Sequence, residues 1–267
     1  MDEGQVIKKT NVLNTRESLK NDFIKLGIKQ GMVLLVHSSL SSIGWVCGGP
    51  VAVIQALMDI VTLEGTLVMP AHSGNYSDPS CWENPPVPKE WINDIKKTMP
   101  AYEPHITPIT GIGVVPEVFR KFPNVIRSSH PAVSFCAWGK YAQIITQNHS
   151  IENSLGENSP LARIYDLDGN VLLLGADFSS NTSFHLSEYR AMNLKHTKLG
   201  APILNDGIRV WQEYNDIEMD AGVFEELGSD FQNHSNVAIG YIGIAESKLF
   251  KQKAAVDFGQ QWIDVIR

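Results

Sequence analysis

Met32-Val33-Leu34-Leu35-Val36-His37-Ser38-Ser39 decides the fold. Five apolar residues in succession, without the alternation of a half-exposed strand, suit a strand covered on both faces. The pattern recurs in Thr66-Leu67-Val68-Met69-Pro70 and Val171-Leu172-Leu173-Leu174-Gly175. Between these runs lie segments of helical period. Thr15 caps a helix with Leu19, Phe23 and Leu26 on one face and Gly27 as its stop, and Val53, Ile54, Leu57, Met58 and Val61 line another. Buried strands alternating with amphipathic helices indicate an α/β protein. Ligands of open α/β sheets bind at the carboxyl ends of the strands, which is where His37, Ser38 and Ser39 fall.

The third run leads into Asn181-Thr182-Ser183-Phe184-His185-Leu186-Ser187-Glu188-Tyr189-Arg190. A helix opening at Thr182 or Ser183 puts His185 in its first turn and Glu188 on the same face. The amide-rich end of a helix disfavours positive charge, a suitable setting for a catalytic base. A capped surface helix with two solvated side chains is the alternative.

Elsewhere the chain is expected to be helical over Gly111–Phe122, with Val114, Val118 and Phe119 inward, and extended over Ala132–Trp138. Ser159-Pro160 opens a helix through Tyr165. Ile208–Tyr214 alternates like a strand in an antiparallel part of a sheet, with Asp216 just past its end. A short helix around Phe224, one or two strands over Val237–Ile244, and a last helix with Ala255, Phe258, Trp262 and Ile266 inward complete the pattern. More than half of the 14 prolines lie between Pro70 and Pro108, and residues 71–107 read as an excursion with one helix, around Lys89–Thr98, that walls a substrate cleft.

The 267 residues, 43% hydrophobic and 19% charged, fit a single domain, 1–267. A net charge of -7 argues against a nucleic-acid partner. Three separated cysteines without C-x-x-C speak against disulfides and structural zinc. With no signal-peptide pattern at the first residues and no apolar run long enough to span a bilayer, the expected location is the cytoplasm. The 8 histidines show no ligand spacing, so no metal is expected. The phosphate-binding P-loop and dinucleotide fingerprints are absent, and so is G-x-S-x-G, which leaves a hydrolase using Ser38 or Ser39 as the weaker reading. A base without an obvious nucleophile suits direct acyl transfer, and a CoA-binding module without catalysis is the competing reading.

Taken in order, Val36-His37-Ser38-Ser39-Leu40-Ser41-Ser42-Ile43-Gly44, Gly48-Gly49, Glu64-Gly65-Thr66-Leu67-Val68-Met69-Pro70, Arg127-Ser128-Ser129-His130-Pro131, Ser159-Pro160-Leu161-Ala162-Arg163 and Asn181-Thr182 with His185 and Glu188 resemble the aminoglycoside 3-N-acetyltransferase family. The resemblance implies a three-layer α/β/α sandwich around a mixed, largely parallel sheet, and acetyl-CoA as donor to the 3-amino group of a 2-deoxystreptamine aminoglycoside. It implies that His37, Ser38, Ser39 and Gly44, together with Ser128, Ser129 and His130, hold CoA. His185 would be the general base, oriented by Asp216 or, failing that, Glu218. Thr182 would steady the oxyanion, and Glu188 and Asp177 would face the cationic acceptor. The oligomeric state is left open.

Overall fold

The computed structural model describes residues 3–266. A first helix, α1 (Glu3–Lys9), precedes α2 (Arg16–Leu26), which starts at a reciprocal Thr15–Ser18 cap and ends at Gly27, where φ is 111°. Strand β1 (Val33–Ser38) runs into a one-turn helix, α3 (Leu40–Ile43), and then α4 (Gly49–Val61) and β2 (Thr66–Pro70). The proline-rich excursion holds three 3-10 turns and α5 (Ile92–Thr98). There follow α6 (Val114–Phe119), β3 (Ile126–Arg127), β4 (Phe135–Gly139), α7 (Ala142–Thr146), α8 (Pro160–Asp166), β5 (Asn170–Leu174) and α9 (Ser183–Arg190). A hairpin of β6 (His196–Asn205) and β7 (Ile208–Ile217), then α10 (Phe224–His234), β8 (Ala238–Ile242), β9 (Ala245–Lys251) and α11 (Gln252–Ile266) complete the fold.

Seven strands form one mixed sheet in the order β3-β4-β2-β1-β5-β9-β8. Its centre, β2-β1-β5, is parallel, and the flanking strands pair antiparallel on both sides. The uninterrupted apolar runs follow from burial on both faces. Leu34, Val36, Leu67, Met69, Leu172 and Leu174 pack with residues of α2, α4 and α6, while Leu35, Val68, Val171 and Leu173 pack with residues of α7 to α11. The α/β class and its layering are therefore as expected.

The second half departs from expectation. The Ile208 strand is antiparallel as expected, paired with β6 in a two-stranded sheet separate from the main one, but Asp216 lies within β7 and not past the strand's end. Asp206 and Gly207 take φ of 50° and 77°, the left-handed pair that closes a tight hairpin, so the strand finds its partner locally. The helix expected over Gly111–Phe122 starts only at Val114, after the positive-φ Gly111 and Gly113, and it buries Val115 while Val114 is exposed. In α11, Ala255, Val256, Gly259 and Ile263 face inward and Ile266 does not. The excursion packs against the hairpin: Arg209 donates to the carbonyls of Met99 and Lys96, and Tyr102 N–H to Pro202. Arg127 ties its two ends, donating to the carbonyls of Ala71, Pro104 and Thr107.

Candidate active site

The parallel strands β2, β1 and β5 end on the same edge of the sheet, and a cleft of about 1240 Å³ opens there. That exceeds the usual range for a drug-sized ligand, roughly 300–1,000 Å³. Each strand delivers polar groups to it: His72 beyond β2, His37, Ser38 and Ser39 at the end of β1, and Thr182 and His185 past β5. The turn after β5 is possible because Gly175 has φ of 60°, and a Cβ there would lie 2.8 Å from that of Ser42 and 2.9 Å from that of Ala245. Gly48, Gly49 and Pro50 at the start of α4 also line the cleft.

Helix α9 carries the central pair. Its opening is held by Asn181, whose Oδ1 accepts from the Ser183 N–H at 3.2 Å, and its inner face is built from Ser183, Phe184, Leu186 and Ser187. Ser187 donates to the Val256 carbonyl at 3.0 Å, fastening α9 on α11. His185, in the first turn as expected, has Nδ1 2.7 Å from Glu188 Oε2, and Phe224 packs edge-on against the imidazole with centroids 4.7 Å apart. The Glu188 contact occupies Nδ1 and leaves Nε2 for a ligand in the cleft.

This geometry corrects two expected roles. Glu188 is 0% exposed and its other oxygen accepts the Asp220 N–H at 2.8 Å, so it braces the imidazole and cannot face an acceptor amine. Asp216 does not orient His185. Its carboxylate accepts from the Tyr189 hydroxyl and from the Ser154 and Ile217 N–H groups, and Glu218 is exposed. Spacing of three on a helix brings Glu188 beneath His185, whereas Asp216 meets the next residue of α9, Tyr189.

His37, Ser38, Ser39, Gly44, Asp177, Thr182 and His185 all line the cleft. Ser128, Ser129 and His130 do not. Ser128 accepts from the Phe135 N–H and shares a hydrogen bond with His149 Nδ1. His130 Nδ1 accepts the N–H groups of Ala132 and Val133, and its Nε2 meets the Ile151 carbonyl. The hydrogen bonds of Ser128 and His130 are spent on the strand-to-loop junction, while Ser129 is exposed outside the cleft lining. Of the 71–107 excursion, expected to wall the cleft, only His72 is among the lining residues, which resume beyond its end at Gly111-Ile112-Gly113. His72 went unremarked in the sequence, although it lies two residues past the end of a buried strand.

Burial sets the charge state of the floor. Desolvation lowers both His37 and His72 to about 3, so both imidazoles are neutral near pH 7. His37 Nε2 lies 3.4 Å from Thr182 Oγ1, which links the ends of β1 and α9. Asp177 is an exposed carboxylate of the cleft lining, as is Glu3.

A family model described as aminoglycoside 3-N-acetyltransferase matches residues 35–264. The chain belongs to that family. It is 50% identical, over 97% of its length and 95% of the other's, to the SPbeta prophage-derived aminoglycoside N(3')-acetyltransferase-like protein YokD of Bacillus subtilis (strain 168), whose crystal structure matches with a TM-score of 0.96 over 97% of each chain. It is 33% identical to aminoglycoside N(3)-acetyltransferase VII of Streptomyces paromomycinus, covering 99% of this chain and 96% of that one. Among solved aminoglycoside acetyltransferases, AAC-IIIb in binary complex with CoASH matches with a TM-score of 0.85 at 28% identity, over 96% of this chain and 98% of that one.

Proposed function

We propose that the protein is an acetyl-CoA-dependent N-acetyltransferase acting on the 3-amino group of a 2-deoxystreptamine aminoglycoside by direct transfer, with His185 as general base. The observation that carries this reading is the 2.7 Å contact between His185 Nδ1 and the fully buried Glu188, on a histidine that lines a cleft large enough for a CoA ester. Family membership supplies the donor and the acceptor class.

The residues divide the work by position. The helix start at Gly48-Gly49-Pro50 offers its positive dipole end to the phosphates of CoA, and Ser38 and Ser39 line the same cleft as His185. Asp177 draws the cationic acceptor towards the rim. His185 Nε2 takes a proton from the acceptor amine as its nitrogen attacks the acetyl carbonyl carbon, and Glu188 compensates the imidazolium that results. Thr182 Oγ1 supplies a donor to the developing oxyanion. As the tetrahedral species collapses, the thiolate departs and takes up the proton from His185, giving an amide and free CoA.

Incubation with acetyl-CoA and a panel of deoxystreptamine aminoglycosides should release CoA thiol, and His185→Ala should lose most of that rate while still binding CoA. Absence of turnover with every amine, in a protein that binds CoA, would overturn the acceptor assignment. A His185→Ala variant as fast as the parent would remove the base.

A further inference from the structure

We propose that Phe224 is the positioning residue of the general base, a buried ring that keeps the His185 imidazole from pivoting about its bond to Glu188. The proposal rests on the reading of His185 as the base and adds the element that aims it.

One hydrogen bond restrains one atom of a ring. With Nδ1 held 2.7 Å from Glu188 Oε2, the rest of the imidazole, Nε2 included, can still swing about that contact. Phe224 blocks the swing, with ring centroids 4.7 Å apart and planes at 63°. Among the described residues this is the shortest ring-to-ring contact, so it leaves the least slack. Phe224 cannot yield easily either. It is 1% exposed, and Phe184, the residue before His185, packs against it at 5.5 Å.

Both restraints reach α9 from a single stretch of chain. Asp220 N–H donates to the other Glu188 oxygen at 2.8 Å, and four residues later Phe224 opens α10. The 3-10 turn Ala221–Val223 between them is closed by Asp220 Oδ1, which accepts the Gly222 N–H at 2.9 Å. Helix α10 is in turn docked on the loop that leads into α9. Glu225 Oε2 accepts the Ser179 N–H at 3.0 Å, and a Cβ on Gly228 would overlap the Phe178 ring, so the helix comes this close only with glycine there. The start of α10 is thereby set relative to the residues that carry the base.

Phe224 is not among the residues that line the cleft, and its side chain offers no group to hydrogen-bond a ligand. It acts through His185, and its loss therefore falls on the transfer rate and not on the binding of either substrate. A misplacement of about 1 Å in such a group can cost ~10²-fold in rate.

Two readouts test this. Phe224→Leu should lower kcat by ~10-fold or more, with the affinity for CoA and the KM for the aminoglycoside within about twofold of the parent, and Phe224→Tyr, which restores a ring, should recover most of the rate. In NMR spectra of protein labelled with nitrogen-15 in its histidines, the His185 Nδ1–H resonance, identified by its loss in His185→Ala, should be sharp in the parent and broadened by solvent exchange in Phe224→Leu. Phe231→Leu is the control for helix stability, because Phe231 is 0% exposed on the same helix and packs on Phe178, Phe250 and Phe258, not on His185. It should lower the thermal midpoint and keep both kcat and the resonance. A Phe224→Leu variant with the parent's kcat and resonance would overturn the proposal, as would an equal loss of kcat in Phe231→Leu. In a protein that acetylates no amine the resonance still decides: broadening in Phe224→Leu supports the restraint and removes only the acceptor reading, whereas an unchanged line overturns the restraint. A His185→Ala variant at the parent's rate would overturn the base and this proposal together.

Discussion

His185 and Glu188 stand one helical turn apart on α9 with Nδ1 and Oε2 2.7 Å apart, and the carboxylate is 0% exposed. A buried acceptor fixes the hydrogen on Nδ1 and leaves Nε2 as the basic nitrogen. Glu188→Gln offers an amide N–H in place of an acceptor and favours the opposite tautomer. We expect kcat to fall by ~10²–10⁴-fold with CoA binding retained, by analogy with the wrong-tautomer effect of replacing a triad carboxylate. Thiol-release kinetics and calorimetric titration with CoA measure the two quantities, and a rate within a few-fold of the parent would exclude this role.

Asp216 acts on the same helix from another side. Its bonds to the Tyr189 hydroxyl and the Ser154 N–H tie α9 and the 154 loop to β7. Asp216→Asn should cost stability, about 1–3 kcal/mol in urea denaturation, with a smaller loss of kcat than Glu188→Gln. Tyr189→Phe should be non-additive with it, since each removes the same bond. Strict additivity would show that the pair is not coupled.

Gly259 lets α11 approach α9. A Cβ at that position would lie 2.5 Å from Ser187 Oγ and 3.0 Å from its Cβ. Gly259→Ala therefore pushes on the helix that carries His185, and we expect a loss of about 1–3 kcal/mol together with a lowered kcat. An unchanged thermal midpoint would mean that α9 yields without strain.

The pH dependence of stability follows from four buried imidazoles. Desolvation lowers His130 to about 4, His37 and His72 to about 3, and His149 well below its ordinary value. Since the folded values are below the unfolded one of about 6.5, the unfolded chain binds more protons between them. Their contribution is fully present above pH 6.5 and is lost as pH falls through the folded values of about 4 and about 3, by up to ~1.4 kcal/mol per pH unit for each imidazole. Denaturation midpoints should drop clearly between pH 7 and pH 5, and a flat profile there would contradict the burial of these rings.

Much of the centre was legible because its signals are local. An apolar run without alternation states burial on both faces, and the positions of His37 and His185 follow from where such runs stop. The hairpin turn was also local, in Asn205-Asp206-Gly207, yet the alternation of Ile208–Tyr214 does not say which strand it pairs with. Ser128 and His130 looked like ligand groups because serine and histidine beside a strand serve equally well to satisfy a backbone junction.

The sequence by itself determined the buried strands β1, β2 and β5, the helix that presents His185, and the family, since each depends on residues close together or on their order along the chain. Tertiary structure alone decided which acid braces the imidazole and which polar groups share the cleft. Glu188 and Asp216 are equally plausible as carboxylates. Only packing shows that one is buried under His185 with both oxygens engaged while the other is held by Tyr189 and Ser154. The same holds for His72, which gains its place beside His37 from the sheet order and not from any spacing along the chain.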